Sequence, residues 1–184
     1  MGSRDLYQPQ KCKKPSRFRL AAACVHAPMA PYPVYLDESK TGTVPMRADK
    51  LTTKFQLALS DAQSLAVGRD HAFIEPVHLM TAMLDQEGNS VRYLLANAGV
   101  QVNALRSSLG EKLDQMPRVS GNEGEVHPSN ALIKLLNQTD KIAQTRKDDY
   151  ISSELFILAA LKDRGDLGDL LARHGAAEDP INKA

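Results

Sequence analysis

Three things are scarce in this chain, and each scarcity excludes a class of function. Only two of its 184 residues are cysteine, Cys12 and Cys24. They form no CxxC pair and no Cys/His array at metal spacing, which excludes a disulfide framework and the common structural zinc sites. A reducing compartment suits such a chain. An excess of charge is also missing: 23 Lys and Arg face 22 Asp and Glu, so neither nucleic acid nor an anionic membrane is indicated as the main partner. Long apolar runs are absent too. The longest, residues 155–161, has the length of a buried helix segment, far below the ~20 residues of a membrane span. There is no GxxxxGK phosphate loop, no GxGxxG, no GxSxG and no HExxH, so nothing supplies a nucleotide cradle, an activated serine or a helix-borne zinc pair. An enzyme is therefore not indicated, and no catalytic residue, cofactor or metal ligand is expected.

What is present is distributed unevenly. Residues 1–45 hold six of the ten prolines, both cysteines, and seven basic against three acidic residues, leaving 16 basic against 19 acidic in the other 139. Prolines 9, 15, 28, 31, 33 and 45 break any long helix or central strand, and no apolar period survives between them. The segment reads as disordered or loosely attached. Basic residues at 11–19 precede a short apolar stretch at 20–25, a poor match to a signal peptide because the run is short and His26 and Pro28 interrupt it. Three readings stay open for it: a non-native or dispensable extension, a partner-binding arm, and a targeting segment.

From residue 46 the pattern is helical and repeated. Phe55, Ala58, Leu59, Ala62, Leu65 and Ala66 fall within a stripe about 120° wide at helical pitch. The same spacing returns 77 residues later at Leu132, Leu135, Leu136, Thr139, Ile142 and Ala143, and the register holds onward: Phe73-Ile74 answers Tyr150-Ile151, Leu79 answers Phe156, and Gly88 answers Gly165. After one deletion, Gly99 answers Gly175. Two copies are too few for a solenoid. The expectation is all-α: two pseudo-symmetric four-helix repeats packed on each other, repeat one at 46–115, a Gly- and Pro-rich linker at 116–128 and repeat two at 129–184. The fourth helix of repeat one is expected at 102–115; its counterpart would begin near Asp179-Pro180 and reads as truncated. Pro76 should open a helix, Ser152 or Ser153 should cap its counterpart, Thr53 with Gln56 fits a capping box, and Gly88, Gly99, Gly165 and Gly175 sit where helices should stop.

His71 and His127 fall in predicted loops, and His78 on a helix without a partner at i+4, so surface or satisfied histidines are expected. Phe55, Phe73, Tyr93, Tyr150 and Phe156 sit in the apolar pattern and are expected in the core. Comparing the halves is more informative. Where the first has His71 and Val77 the second has Asp148 and Glu154, two carboxylates flanking the start of the most apolar helix. Glu154 suits the positive end of a helix dipole; equally, both carboxylates would suit the polar rim of an apolar groove that orients an extended peptide.

The strings MRADKLTTKFQLALSDAQSLAVGRDH (46–71), IEPVHLMTAML (74–84) and ISSELFILAAL (151–161) closely resemble the N-terminal domain of the bacterial ClpB disaggregase family, and the likeness extends over 46–178. The resemblance implies a mobile all-α domain that contacts exposed apolar segments of unfolded or aggregated polypeptides and passes them to a hexameric, cytoplasmic ATPase ring using ATP and Mg. The isolated domain is expected to be a monomer, with no nucleic acid or membrane partner. Positions tied to substrate in that family correspond to Thr52, Asp148 and Glu154, with Leu155 contributing to an apolar groove. Related Clp unfoldases imply the alternative, a docking domain for a folded adaptor protein.

Overall fold

The computed structural model describes residues 47–88, 90–119 and 126–183, all within the unit Glu38–Ala184. The expectations for residues 1–45 lie outside the described residues.

Local chemistry fixes where each helix starts. After a 3₁₀ turn at Ala48–Lys50, Thr52 adopts extended backbone and its hydroxyl accepts the Phe55 N–H, opening α1 at Thr53–Gly68. Its counterpart 77 residues on, Ser129, accepts the Leu132 N–H at 3.1 Å and opens α5 at Asn130–Arg146. Such caps contribute about 1 kcal/mol each. Thr52 thus caps α1, and the capping box of Thr53 with Gln56 does not form; the Gln56 amide instead donates to the Leu51 carbonyl. Pro76 opens α2 (Pro76–Asp85), where its missing N–H costs nothing. Ser152 precedes α6 (Ser153–Asp163), but its hydroxyl bonds the Glu154 carboxylate and no backbone N–H.

α3 (Val91–Asn97) and α4 (Val102–Asp114) complete the first repeat, and α7 (Asp166–Arg173) and α8 (Glu178–Lys183) the second. Gly99 and Gly175 end α3 and α7 at φ 84° and 90°, a left-handed conformation that costs other residues more. Each turn is closed by the same bond, Val100 N–H to Leu95 and Ala176 N–H to Leu171. Gly165 departs from expectation: it has extended backbone and leads into α7, while Arg164, at φ 47°, takes the left-handed position that ends α6.

The halves lock through two short parallel pairings that the helical pattern does not predict. β1 (Phe73–Ile74) pairs with β2 (His127–Pro128), and Leu51 bridges Ile151. These are one contact seen twice, since Pro128 and Ile74 are the 77-residue counterparts of Leu51 and Ile151. The bonds repeat as well: Ser129 N–H donates to Ile74 and Thr52 N–H to Ile151, both at 3.0 Å. Each half thereby lends the residue before its long helix to the residue before the other half's central helix.

The core lies along α2 and α6, buried almost all round. Phe55 of α1 meets Phe156 of α6 edge-to-face at 5.9 Å across the seam, a favoured aromatic geometry. α7 crosses α6 at Gly168, where an added Cβ would lie 2.2 Å from the Ala160 carbonyl oxygen. The other three aromatics expected in the core are not there: Phe73, Tyr93 and Tyr150 are 54%, 75% and 62% exposed. Strand alternation explains Phe73 and Tyr150, whose neighbours Ile74 and Ile151 take the inward positions. On α3, Val91 and Leu95 share the buried face and Tyr93 lies on the opposite one.

Candidate functional site

The Leu51–Ile151 bridge brings the predicted polar residues to one place on the seam. Thr52 follows the bridge on one strand, and Asp148 and Glu154 lie three residues either side of Ile151 on the other. Asp148 is exposed just beyond α5, and among the described residues its carboxylate has no partner. Glu154 is half-buried in the first turn of α6 and accepts the Ser90 hydroxyl at 2.6 Å. Burial pushes its carboxyl up, but hydrogen bonds from Ser152, Ser90 and its own backbone N–H outweigh that and hold it below the usual carboxylate range. At neutral pH Glu154 therefore gives the seam a fixed, hydrogen-bonded anion. Leu155 is placed differently: it is 3% exposed, within the core, and offers a ligand no surface in this conformation.

The symmetry-related place in the first half has the same backbone and different chemistry. There Ser129 caps α5 and also donates to Glu75 at 2.9 Å. His71 and His78 replace Asp148 and Leu155, and they are buried against each other with Nδ1 and Nε2 2.7 Å apart. The Glu75 N–H donates to His78 Nδ1 at 2.9 Å, which requires that nitrogen to be unprotonated. Nε2–H of His78 then donates to His71 Nδ1, so both ring nitrogens of neutral His78 are satisfied. Burial, then the neighbouring His71, lowers His78 to about 4. His71 is lowered by burial, then by Arg69 and Arg118. Satisfied histidines were expected; their pairing, seven residues apart across a loop, carries no sequence signal.

Beside this pair opens a cleft of about 690 Å³ between the halves; an apolar groove was expected in kind, but beside Asp148, Glu154 and Leu155, none of which lines this one. Its wall is apolar, from Phe73, Val77, Met116, Leu135 and Leu167, and Asp163 and Asp166 stand among its lining residues. Both carboxyls are held below their ordinary value, chiefly by hydrogen bonds from Lys134 and Lys112 respectively. Apolar walls with a few placed polar groups suit the side chains of a polypeptide. Applying the 77-residue offset to Thr52, Asp148 and Glu154 points to Ser129, His71 and Val77, so repetition was the signal available. Among the described residues, no three His, Cys, Asp or Glu side chains group to hold a metal ion, and no helix is long and apolar enough to cross a membrane.

Two pseudo-symmetric helical repeats, with a polar seam and an apolar cleft between them, define a duplicated all-α binding domain. Residues 50–174 match the model of the Clp repeat (R) N-terminal domain, and the chain belongs to that family. It is 56% identical over 139 residues to the chaperone protein ClpB of Vibrio cholerae, covering 76% of this chain and 16% of that protein. The chain thus spans 16% of the length of that relative, whose N-terminal region the described domain resembles. Among solved structures, the Hsp104 N-terminal domain from Candida albicans superposes with a TM-score of 0.64 at 22% identity, over 73% of this chain and 87% of that one. A ClpV N-domain in complex with a VipB peptide gives 0.65 at 24% identity, over 77% and 89%. At these identities the structures establish the fold alone.

Proposed function

We propose that this domain recognises exposed apolar segments of unfolded or aggregated polypeptides and delivers them to a cytoplasmic, hexameric ATPase ring of the ClpB type. The observation that carries the reading is the gathering of Thr52, Asp148 and Glu154 at one seam, with an exposed carboxylate that has no partner among the described residues. Binding is the whole activity of these residues; no turnover and no cofactor are assigned to them. Affinity per domain is weak, and six copies on one ring raise it through effective concentration.

Titrating the chain with an unfolded, aggregation-prone protein, followed by amide chemical shifts, tests this. Shifts are expected around Thr52, Asp148 and Glu154, with no response to a folded control. Asp148→Ala should weaken binding while leaving stability within about 0.5 kcal/mol, as for other exposed positions. Glu154→Ala also loses the Ser90 and Ser152 hydrogen bonds and should cost about 1–2 kcal/mol, so Glu154→Gln is the cleaner variant. A stoichiometric complex with one folded protein, with no response to unfolded chains, would replace this reading by adaptor docking.

A further inference from the structure

The two halves share a backbone turn, which among the described residues only the first half fills. Asp70 and Lys147 are counterparts, both left-handed at φ 58° and 61°. Each donates its N–H to the carbonyl three residues back at 3.1 Å. The next residues, His71 and Asp148, donate to Ala66 and Ala143 at 3.0 and 2.9 Å. In the first half this turn presents an edge, and the chain's own residues 117–119 occupy it: the Val119 N–H donates to the Asp70 carbonyl at 2.8 Å, and Arg118 forms an antiparallel bridge with His71. In the second half the equivalent groups are the Lys147 carbonyl and the Asp149 N–H. Among the described residues neither has a backbone partner, and residues 147–150 are all exposed.

We propose that residues 147–149 take an extended peptide in antiparallel register, as residues 70–72 take Pro117, Arg118 and Val119, with a Lys or Arg of the peptide opposite Asp148. The first-half pairing shows what the occupant must supply. Its backbone donates to the Lys147 carbonyl and accepts from the Asp149 N–H, a requirement any extended sequence meets. Side-chain selection comes from the residues that differ between halves. His71 is a buried neutral ring, and Arg118 opposite it disfavours a positive charge there. Asp148 replaces it with an exposed carboxylate, and Glu154, half-buried, replaces Val77. Directly opposed residues of an antiparallel pair lie close enough for their charges to interact. A cation therefore suits the ligand position that Arg118 fills in the first half. Flanking selection follows from Phe73, which lines the cleft together with Pro117 and Val119. Its counterpart Tyr150 is 62% exposed, an aromatic surface for apolar residues beside the cation. The ligand class is an extended apolar–basic–apolar segment, a pattern the chain writes in itself as Pro-Arg-Val.

This mode rests on the proposed function and narrows it. The test uses the full chain and two ten-residue peptides, LDQMPRVSGN (its own residues 113–122) and the same sequence with Glu in place of Arg, alongside an unfolded protein. The Arg peptide should shift the amides of Asp148 and Asp149 and slow hydrogen exchange at Asp149. The Glu peptide should bind on the order of tenfold more weakly, since an attraction is exchanged for a repulsion. Asp148→Lys should reverse that order. Equal binding of both peptides, or shifts confined to the first-half cleft, would overturn the mode. Protection of the Asp149 amide in the free chain would also overturn it, by another stretch of the chain if independent of concentration and by a second copy if not. Unfolded protein that shifts Thr52 and Glu154 without protecting Asp149 would refute the mode and leave the function standing. Silence toward unfolded protein and both peptides would refute the two together.

Discussion

Acid should destabilise this domain through its histidine pair before it reaches the carboxylates. His78 is fully buried, its Nδ1 accepts the Glu75 N–H, and its Nε2 faces His71. Protonating it places a donor against the Glu75 donor and a charge in the core. Its folded value of about 4 lies below the 6.5 of the unfolded chain, so between those limits the unfolded state binds more protons and stability rises with pH. The full contribution is present above pH 6.5 and is lost as pH falls toward 4. The interval is worth about 3 kcal/mol at 1.36 kcal/mol per pH unit. His71, also lowered, adds in the same direction. Glu154, Asp163 and Asp166 are depressed below their ordinary values of 4.5, 3.8 and 3.8, so their contribution is lost only at lower pH. Urea unfolding at intervals from pH 5 to 7.5 should give a slope of about 1 kcal/mol per pH unit below 6.5 and a plateau above. His78→Gln should flatten that slope whatever it does to stability at pH 7. A flat wild-type profile, or a slope unchanged in His78→Gln, would refute the reasoning.

Two further substitutions test the packing. Gly168→Ala pushes a methyl into the Ala160 carbonyl, a backbone group that moves only with its helix; overpacking of this kind costs about 1–3 kcal/mol, and a denaturation midpoint equal to wild type would contradict the close crossing. Arg47 donates to Asp140 Oδ1 at 2.9 and 2.8 Å, while Gln144 holds Oδ2. Because Asp140 is buried and Arg47 partly exposed, Arg47→Ala should cost about 1–3 kcal/mol. A double-mutant cycle with Asp140→Asn should return a coupling of roughly 1 kcal/mol; additivity would mean that the ion pair contributes nothing.

Duplication lets one half explain the other. The halves kept the backbone of the turn and of the seam and diverged in the side chains they present. One carries a neutral histidine pair beside an edge filled by the chain, the other two carboxylates beside an edge that no described residue fills. The proposed binding of polypeptide at the second half accords with that division.

Sequence alone determined the helices and their repetition, because apolar spacing is written within a few residues of where it acts. Phe55, Ala58, Ala62 and Ala66, and Leu132, Leu135, Leu136, Thr139 and Ala143, are buried as their period requires. The offset of 77 residues also singled out Asp148 and Glu154, carboxylates where the first half has His71 and Val77. Only the tertiary structure decided what distant segments do to each other. The parallel bridges, the His71–His78 contact, the Arg47–Asp140 ion pair and the pairing of Arg118 with His71 join residues whose spacing obeys no helical or strand period. The same holds for exposure. Phe73 and Tyr150 read as core by composition, yet they face solvent because pairing at the seam turned Ile74 and Ile151 inward. Periodicity reports which face of an element is apolar; which backbone edges remain open for a partner is settled only when the rest of the chain has been placed.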